Sequence, residues 1–504
     1  MPQNVKAYIV LLVISNIAFY FAKRIATPQI SDMQFKKWKN TWLVVISFAF
    51  LSFNYWIFAS LTYIYLSSKV SKEPTPVALY TLMLPALPPI PALVPGFGII
   101  NYLLPINYLM ILSFCILIPI FFKFKSSRDK LSMWKVKTDF LVFLFTLMTI
   151  NASLVTDDTT ITEIMRQALV AVLAILLPYY IISRYVRSVE QIKMVFLAFV
   201  IASFPAALIG LFESFKHWLL FSSLTSSYGL YWEFGGYLMR DGSLRASSSF
   251  GHSINFGFTM VVALGFYLFI QQFTQKKLYR QIGFAIILVG LIAALARGPW
   301  VGAVVLMIIY TYLGKSGISN TFKLLTTGLL VLAFISVTPI GDKVINLIPF
   351  VGNVDSQNVD YRKDLFDTSL VVAAKSPWFG NPHFAKEPEM KKLIQGEQII
   401  DIVNTYLRML LNSGFVGLSI FAGIYITAAT SAYGAMKRIK LINSELHHIG
   451  RTLIAIVISI MFMLTSTSST MIIPYLSYLC VGLCIAYSQI AKKEKLLFDL
   501  SSTK

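Results

Sequence analysis

Charge and cysteine are what this sequence lacks. Only 13% of its 504 residues are Asp, Glu, Lys or Arg, against 56% hydrophobic. That is too little charge to clothe a soluble core of this length. Its three cysteines, Cys115, Cys480 and Cys484, all lie inside apolar runs. They exclude a disulfide framework and any C-x-x-C motif, and read as small packing residues. There is no Walker A loop, since Gly314-Lys315-Ser316 lacks the upstream glycine, which excludes a nucleotide-driven pump. His-Glu-x-x-His and Gly-x-Ser-x-Gly are also absent, which argues against a zinc enzyme and a serine-elbow hydrolase. No metal and no cofactor are called for.

What is present is a series of apolar runs between Ala7 and Ile490, each long enough to cross a bilayer as a helix. The expected fold is all-α, a polytopic membrane bundle of about 12–14 transmembrane helices with a large, partly helical outer loop. The formal net charge of +20 suggests nucleic acid, but the basic residues recur in short loops such as Lys123–Lys137, Arg184–Lys193, Lys276–Arg280 and Lys437–Arg451. That pattern is selected by membrane insertion, places these loops in the cytoplasm and implies contact with anionic membrane lipids rather than nucleic acid. The run Ala7–Ala22, followed by Lys23 and Arg24 without a small-residue cleavage signal, is expected to remain as an anchor.

Four regions follow. Residues 1–138 hold spans at Ala7–Ala22, Trp42–Tyr65 and Asn107–Phe122, with Val77–Pro105 between the last two. The prolines of "LPALPPIPALVPG" break a straight helix, so this piece is expected to be broken or re-entrant, giving thirteen crossings, with twelve or fourteen as alternatives. Residues 139–340 carry central spans, an acidic outer turn with Asp157 and Asp158, and an outer loop at 215–253. Residues 341–404 form a long outer loop, in which "VDYRKDLFDTSLVVAAK" has helical spacing and Pro377 and Gly380 would end the helix. Residues 405–504 supply the last spans and a cytoplasmic tail.

Cations dominate the outer side. Arg240 and Arg245 precede a helix starting near Ile254, Arg297 sits at the outer end of another, and Arg362 lies in the long loop. Guanidinium forks match phosphate oxygens, and arginines near hydrocarbon face a partner or a wet cavity. An anion site is one reading; the plainer one pairs each with Asp241, Asp355, Asp360 or lipid headgroups. "SSSFGHSIN" offers hydroxyls at a helix start, as an anion cradle or as capping by Ser249 or Ser253. His383 and His252 are the outer histidines able to act as a base, and Asp360 and Glu387 the carboxylate options.

Four blocks, "RASSSFGHSINFGF", "ALARGPWVGAVVL", "YRKDLFDTSLVVAAKSPWFG" and "NTYLRMLLNSGFVGLSIF", together resemble the O-antigen ligase/polymerase family of bacterial envelope glycosyltransferases over about Gly242–Phe421. The resemblance implies transfer of glycan from an undecaprenyl-diphosphate-linked oligosaccharide donor at the periplasmic face of the inner membrane to a glycan or lipid-linked acceptor. It implies no metal or nucleotide sugar, and a flippase and a chain-length regulator as partners in O-antigen, capsule or exopolysaccharide synthesis. It assigns Arg245, Arg297 and Arg362, with Arg240 beside them, to the diphosphate. His252, Asn255 and Asn404 are expected to contact substrate, and His383 and Asp360 to serve catalysis. Where ligases of the family carry His-Asn before the helix that follows the long loop, this sequence has Val403-Asn404. A transporter or flippase of lipid-linked glycan is the alternative. It would need charge along mid-span helices, whereas these spans are nearly free of it.

Overall fold

In the computed structural model, residues 1–98, 101–125, 134–154, 160–232, 234–240, 242–336, 338, 356–394 and 400–502 are described. Asp157, Asp158, Asp241, Asp355 and the start of the long loop lie outside them. The elements are α1 (Gln3–Ala26), α2 (Asp32–Leu51), α3 (Tyr55–Val70), α4 (Pro76–Met83), β1 (Ala92–Pro95), β2 (Tyr102–Ile106), α5 (Tyr108–Leu112) and α6 (Ile118–Lys125). They continue with α7 (Lys137–Leu154), α8 (Ile161–Ala171), α9 (Leu177–Tyr185), α10 (Val189–Lys216), α11 (Ser222–Tyr228), β3 (Met239–Arg240) and β4 (Ser243–Leu244). After these come α12 (Ser253–Ile270), α13 (Lys277–Ala293), α14 (Arg297–Tyr312), α15 (Gly317–Ser336), α16 (Ser356–Lys375), α17 (Pro388–Lys391), α18 (Thr405–Ile439), α19 (Ser444–Met463) and α20 (Ile472–Ser502). Among the described residues, strands amount to two short antiparallel hairpins. Eight helices, counted among the described residues, are long and apolar enough to cross a membrane. The protein is an all-α, multi-pass membrane bundle.

Two elements sit at its centre. α12 is buried along nearly its whole length, which is why it reads as apolar on every side rather than amphipathic. α10 packs beside it, with Phe196 stacked on Phe266 at 4.3 Å. Glycines set the spacing. A Cβ on Gly257 would lie 2.9 Å from Pro299 of α14, and one on Gly265 would lie 2.3 Å from Ile456 of α19.

The region expected as one span over Trp42–Tyr65 is instead two antiparallel helices, α2 and α3. Phe53 adopts φ 51°, and the Asn54 side chain accepts from the backbone N–H of Trp56 and Ile57, starting a new helix. Glu73, just past α3, accepts from Gln34 and Trp38 near the start of α2, which fixes the antiparallel pairing. The proline-rich piece forms the fully buried, roughly two-turn α4, an irregular stretch and the β1–β2 hairpin. The prolines remove donors that a longer helix would need.

The described part of the long loop forms α16, as its spacing predicts, and encloses a small core of Leu365, Val372, Met390, Leu393, Ile402 and Leu411. It is stitched to α18 at a break in that helix. Gly414 there adopts φ 61°, ψ −164°. The break frees two N–H groups, so Phe415 donates to the Pro377 carbonyl (2.8 Å) and Val416 to the Trp378 carbonyl (3.1 Å). A Cβ on Gly414 would meet the Trp378 carbonyl at 2.4 Å, and only glycine tolerates both that approach and that backbone.

Candidate functional site

Three separate stretches of chain bring arginines together at the C-terminal end of α10. The first is the β3–β4 hairpin, which turns at Gly242 with φ 73° and carries Arg240, with Arg245 just beyond it. Arg245 N–H donates to the Leu238 carbonyl and Ala246 N–H to the Ala293 carbonyl. The Arg240 guanidinium donates to the Leu295 carbonyl in the α13–α14 turn. The hairpin is thereby fastened to the second stretch, whose next helix opens at Arg297. The third is α16, with Arg362 near its start.

Their electrostatic coupling establishes the proximity. Arg245 is held below the ordinary guanidinium value, at about 10, first by burial and then by the like charges of Arg240 and Arg297. It stays cationic at neutral pH, and its Nε is buried with no hydrogen-bond partner among the described residues. Arg362 is also lowered, by desolvation first; Asp401 pulls it upward and Arg297 pushes it down. Arg240, Arg245, Arg297 and Arg362 therefore form one chain of like charges, from residues more than a hundred positions apart.

The floor beneath them is built by a buried carboxylate. Glu213, in the last turn of α10, is fully buried. It accepts the N–H groups of Leu220 (3.0 Å), Ser247 (3.2 Å) and Ser248 (2.8 Å). These bonds hold the segment after Arg245 against α10, and Ser248 Oγ adds a bond to the Ala206 carbonyl. α12 then begins at Ser253, capped by the His252 ring, whose Nδ1 accepts the Ile254 N–H (3.2 Å). Burial, then the charge of Arg245, lowers His252 to about 4, so its imidazole is neutral near pH 7. Ser253 Oγ is buried without a hydrogen-bond partner among the described residues.

Other predicted residues take different places. Asn255 is buried and donates to Met471 Sδ. Asn404 caps α18 by accepting from Tyr406 and Leu407 N–H. Asp360 is exposed, two residues before Arg362 on α16, and i, i+2 residues of a helix do not share a face. His383 lies 21 residues after Arg362, in the segment that follows the end of α16. Its N–H donates to Asn381 Oδ1, and the Asn381 N–H in turn donates to the Leu411 carbonyl. Glu387 is engaged with Lys375 and Asn381. The segment that carries His383 is thus docked on α18, about one turn beyond Arg408.

Two residues absent from the sequence reading join the site. Asp401 interacts with Arg362 and with Arg408, and its carbonyl accepts from Tyr361. Its only mark in the sequence is to precede Val403-Asn404, and Arg408 follows one turn into α18. Among the described residues no His, Cys, Asp or Glu cluster is suited to hold a metal.

Among curated proteins nothing matches the chain. Residues 282–422 match the family model described as O-Antigen ligase. The match contains Arg297, Arg362, Asp401 and Arg408; Arg240 and Arg245 precede it and join it through the contacts above. Over these residues the chain is similar to the O-antigen ligase family, and the match supports a function of the O-antigen ligase/polymerase type in a multi-pass membrane protein.

Proposed function

We propose that the four arginines grip the diphosphate of an undecaprenyl-diphosphate-linked glycan at the periplasmic face of the inner membrane. On this reading the protein transfers that glycan to a second lipid-linked or free glycan acceptor. The observation that carries the reading is the coupling of Arg245 to Arg240 and Arg297 and of Arg297 to Arg362. Like charges gathered at partial burial repel one another, and a multivalent anion offsets that cost. Guanidinium forks supply paired donors to phosphate oxygens.

The chemistry follows from charge. An acceptor hydroxyl attacks the anomeric carbon, the anomeric C–O bond to the diphosphate breaks, and the electron pair leaves with the lipid diphosphate. Negative charge grows on that leaving group, where preoriented cations stabilise the transition state more than the ground state. The acceptor proton needs a base. We take Asp401, whose charge acts on Arg362 and which lies two residues before Val403, as that base in preference to His383 and Asp360. Asp401→Asn is therefore expected to lower turnover more than His383→Ala, measured on the same purified preparations.

Incubating the purified protein with carrier-linked repeats alone tests the whole reading. A ladder of longer lipid-linked glycans identifies a polymerase; product only after a second acceptor is added identifies a ligase. No transfer under either condition, from protein shown to be folded, contradicts the proposal.

A further inference from the structure

Beside the arginines lies a cavity of about 320 Å³, within the size range of small-ligand pockets, roughly 300–1,000 Å³. Its floor is the segment Ser247–Gly251, the same one that Glu213 holds by its N–H groups. That segment begins two residues after Arg245 and ends one residue before His252. Its walls come from the aromatic stretch Tyr231, Trp232 and Phe234 and from the start of α11.

The lining has a distinctive chemistry. No described lining residue is charged, so the pocket offers nothing to a phosphate. It is also no slot for an isoprenoid tail, because hydroxyls and glycine backbone interrupt the apolar surface. Ser222 Oγ donates to the Leu219 carbonyl (2.7 Å), and Thr225 Oγ1 to the Ser222 carbonyl (2.7 Å). Ser248 Oγ donates to Ala206. Each of these hydroxyls has given its proton to the backbone and keeps lone pairs that accept. The fitting ligand is uncharged, rich in hydroxyl donors, and has an apolar face for an aromatic ring.

Trp232 is seated deliberately. Gly251, at φ 70°, lies so close under the indole that a Cβ there would be 2.0 Å from the ring. Phe234 stands edge-on to the His252 imidazole, with ring centroids 6.3 Å apart. Tyr231, at the lip, is 89% exposed, a large aromatic surface left to solvent.

We propose that this cavity is the sugar subsite of the enzyme. It would receive the pyranose ring adjoining the diphosphate, with Trp232 against the ring's C–H face and the α11 hydroxyls accepting from sugar hydroxyls. The inference rests on the carrier reading above, because a sugar joined directly to a diphosphate held by Arg245 falls within about two residues' reach of Ser247.

The test measures binding of two probes to the full-length protein in lipid nanodiscs. One is undecaprenyl diphosphate without sugar; the other is the carrier-linked repeat unit extracted from the producing strain. Wild-type protein is expected to bind the sugar-bearing probe more tightly. Trp232→Ala should weaken that probe about tenfold, a typical worth for an aromatic contact, and leave the sugar-free probe unchanged. Trp232→Phe should restore most of the difference, and Tyr231→Ala should give a smaller loss of the same kind. Sugar-free binding serves as the fold control for each variant. Equal affinities for the two probes in the wild type, or a loss in Trp232→Ala shared by both, overturns the sugar subsite and leaves the arginine site standing. Failure of the wild type to bind either probe overturns the carrier reading and the subsite with it.

Discussion

Arg184 and Arg245 are both withdrawn from bulk water, near opposite ends of α10, which is roughly 42 Å long at 1.5 Å per residue. Their surroundings differ in kind. Arg184 and Asp139 pair with side-chain exposures of 1% each; Arg184 also donates to Ser183 Oγ (2.7 Å), and Tyr179 donates to Asp139. Among the described residues, Arg245 instead has Arg240 and Arg297 as the charges that act on it. One arginine is neutralised inside the fold, and the other is left beside cations. Burial beside like charges is the arrangement that the proposed anion site would use, and burial beside a carboxylate is the one that a purely structural arginine uses.

The sharpest way to break this comparison is to remove the carboxylate at the N-terminal end of α10. Asp139→Ala leaves Arg184 buried without its counter-ion and is expected to cost about 3–5 kcal/mol of stability, whereas replacing both residues with apolar ones costs far less. Arg245→Met, by contrast, should leave stability unchanged or raise it, since it removes repulsion. Unfolding curves in detergent check both. If Asp139→Ala and Arg245→Met destabilise alike, the contrast has no physical basis.

In activity the order reverses. Arg245→Ala and Arg297→Ala are each expected to lose about 3–4 kcal/mol of transition-state stabilisation, a 10²–10³-fold fall in turnover, by analogy with deleted oxyanion donors. Membrane insertion should persist, as quantified by protein level alongside product length on gels. Near-normal product from both variants would assign these arginines to structure alone.

A smaller effect is expected where the long loop docks. Gly414→Ala should cost about 1–3 kcal/mol, the usual scale of backbone strain. It should also loosen residues 377–381, read as faster hydrogen exchange there with little change at Arg184.

The smallest concerns pH. The His252 imidazole is at about 4 in the folded protein and near 6.5 when unfolded. The unfolded chain therefore takes up a proton that the folded one refuses, and stability declines as pH falls from about 6.5 toward 4. His252→Asn keeps a capping side chain and should remove that part of the decline, measured as melting temperature at pH 5 against pH 7.5.

Much of this was legible in the residues. The all-α membrane class follows from apolar runs and scarce charge, the α16 helix from its spacing and its Pro377 stop, and the family resemblance from blocks that include Arg297 and Arg362. The α2–α3 hairpin was not. Both helices are apolar and Trp42–Tyr65 has the length of one span, so neither hydropathy nor length marks the turn; it is made by the φ of Phe53 and the cap of Asn54. The electrostatic influence of Asp401 on Arg362 and Arg408 was hidden as well, because it depends on how a loop folds back on α18. His383 is suggested by residue type alone, and the sequence does not show that its segment docks on α18 through the Asn381 N–H and the Leu411 carbonyl. Nothing local to Glu213 marks its role, because its three backbone partners lie 7, 34 and 35 residues further along.

The central claim is that Arg245 and Arg297 hold a diphosphate together. A cryo-EM structure of the protein with undecaprenyl diphosphate in nanodiscs addresses it directly. The account predicts phosphate oxygens within hydrogen-bond distance of both guanidinium groups, at the C-terminal end of α10. Density for the diphosphate elsewhere, with Arg245 and Arg297 turned away from it, would contradict it.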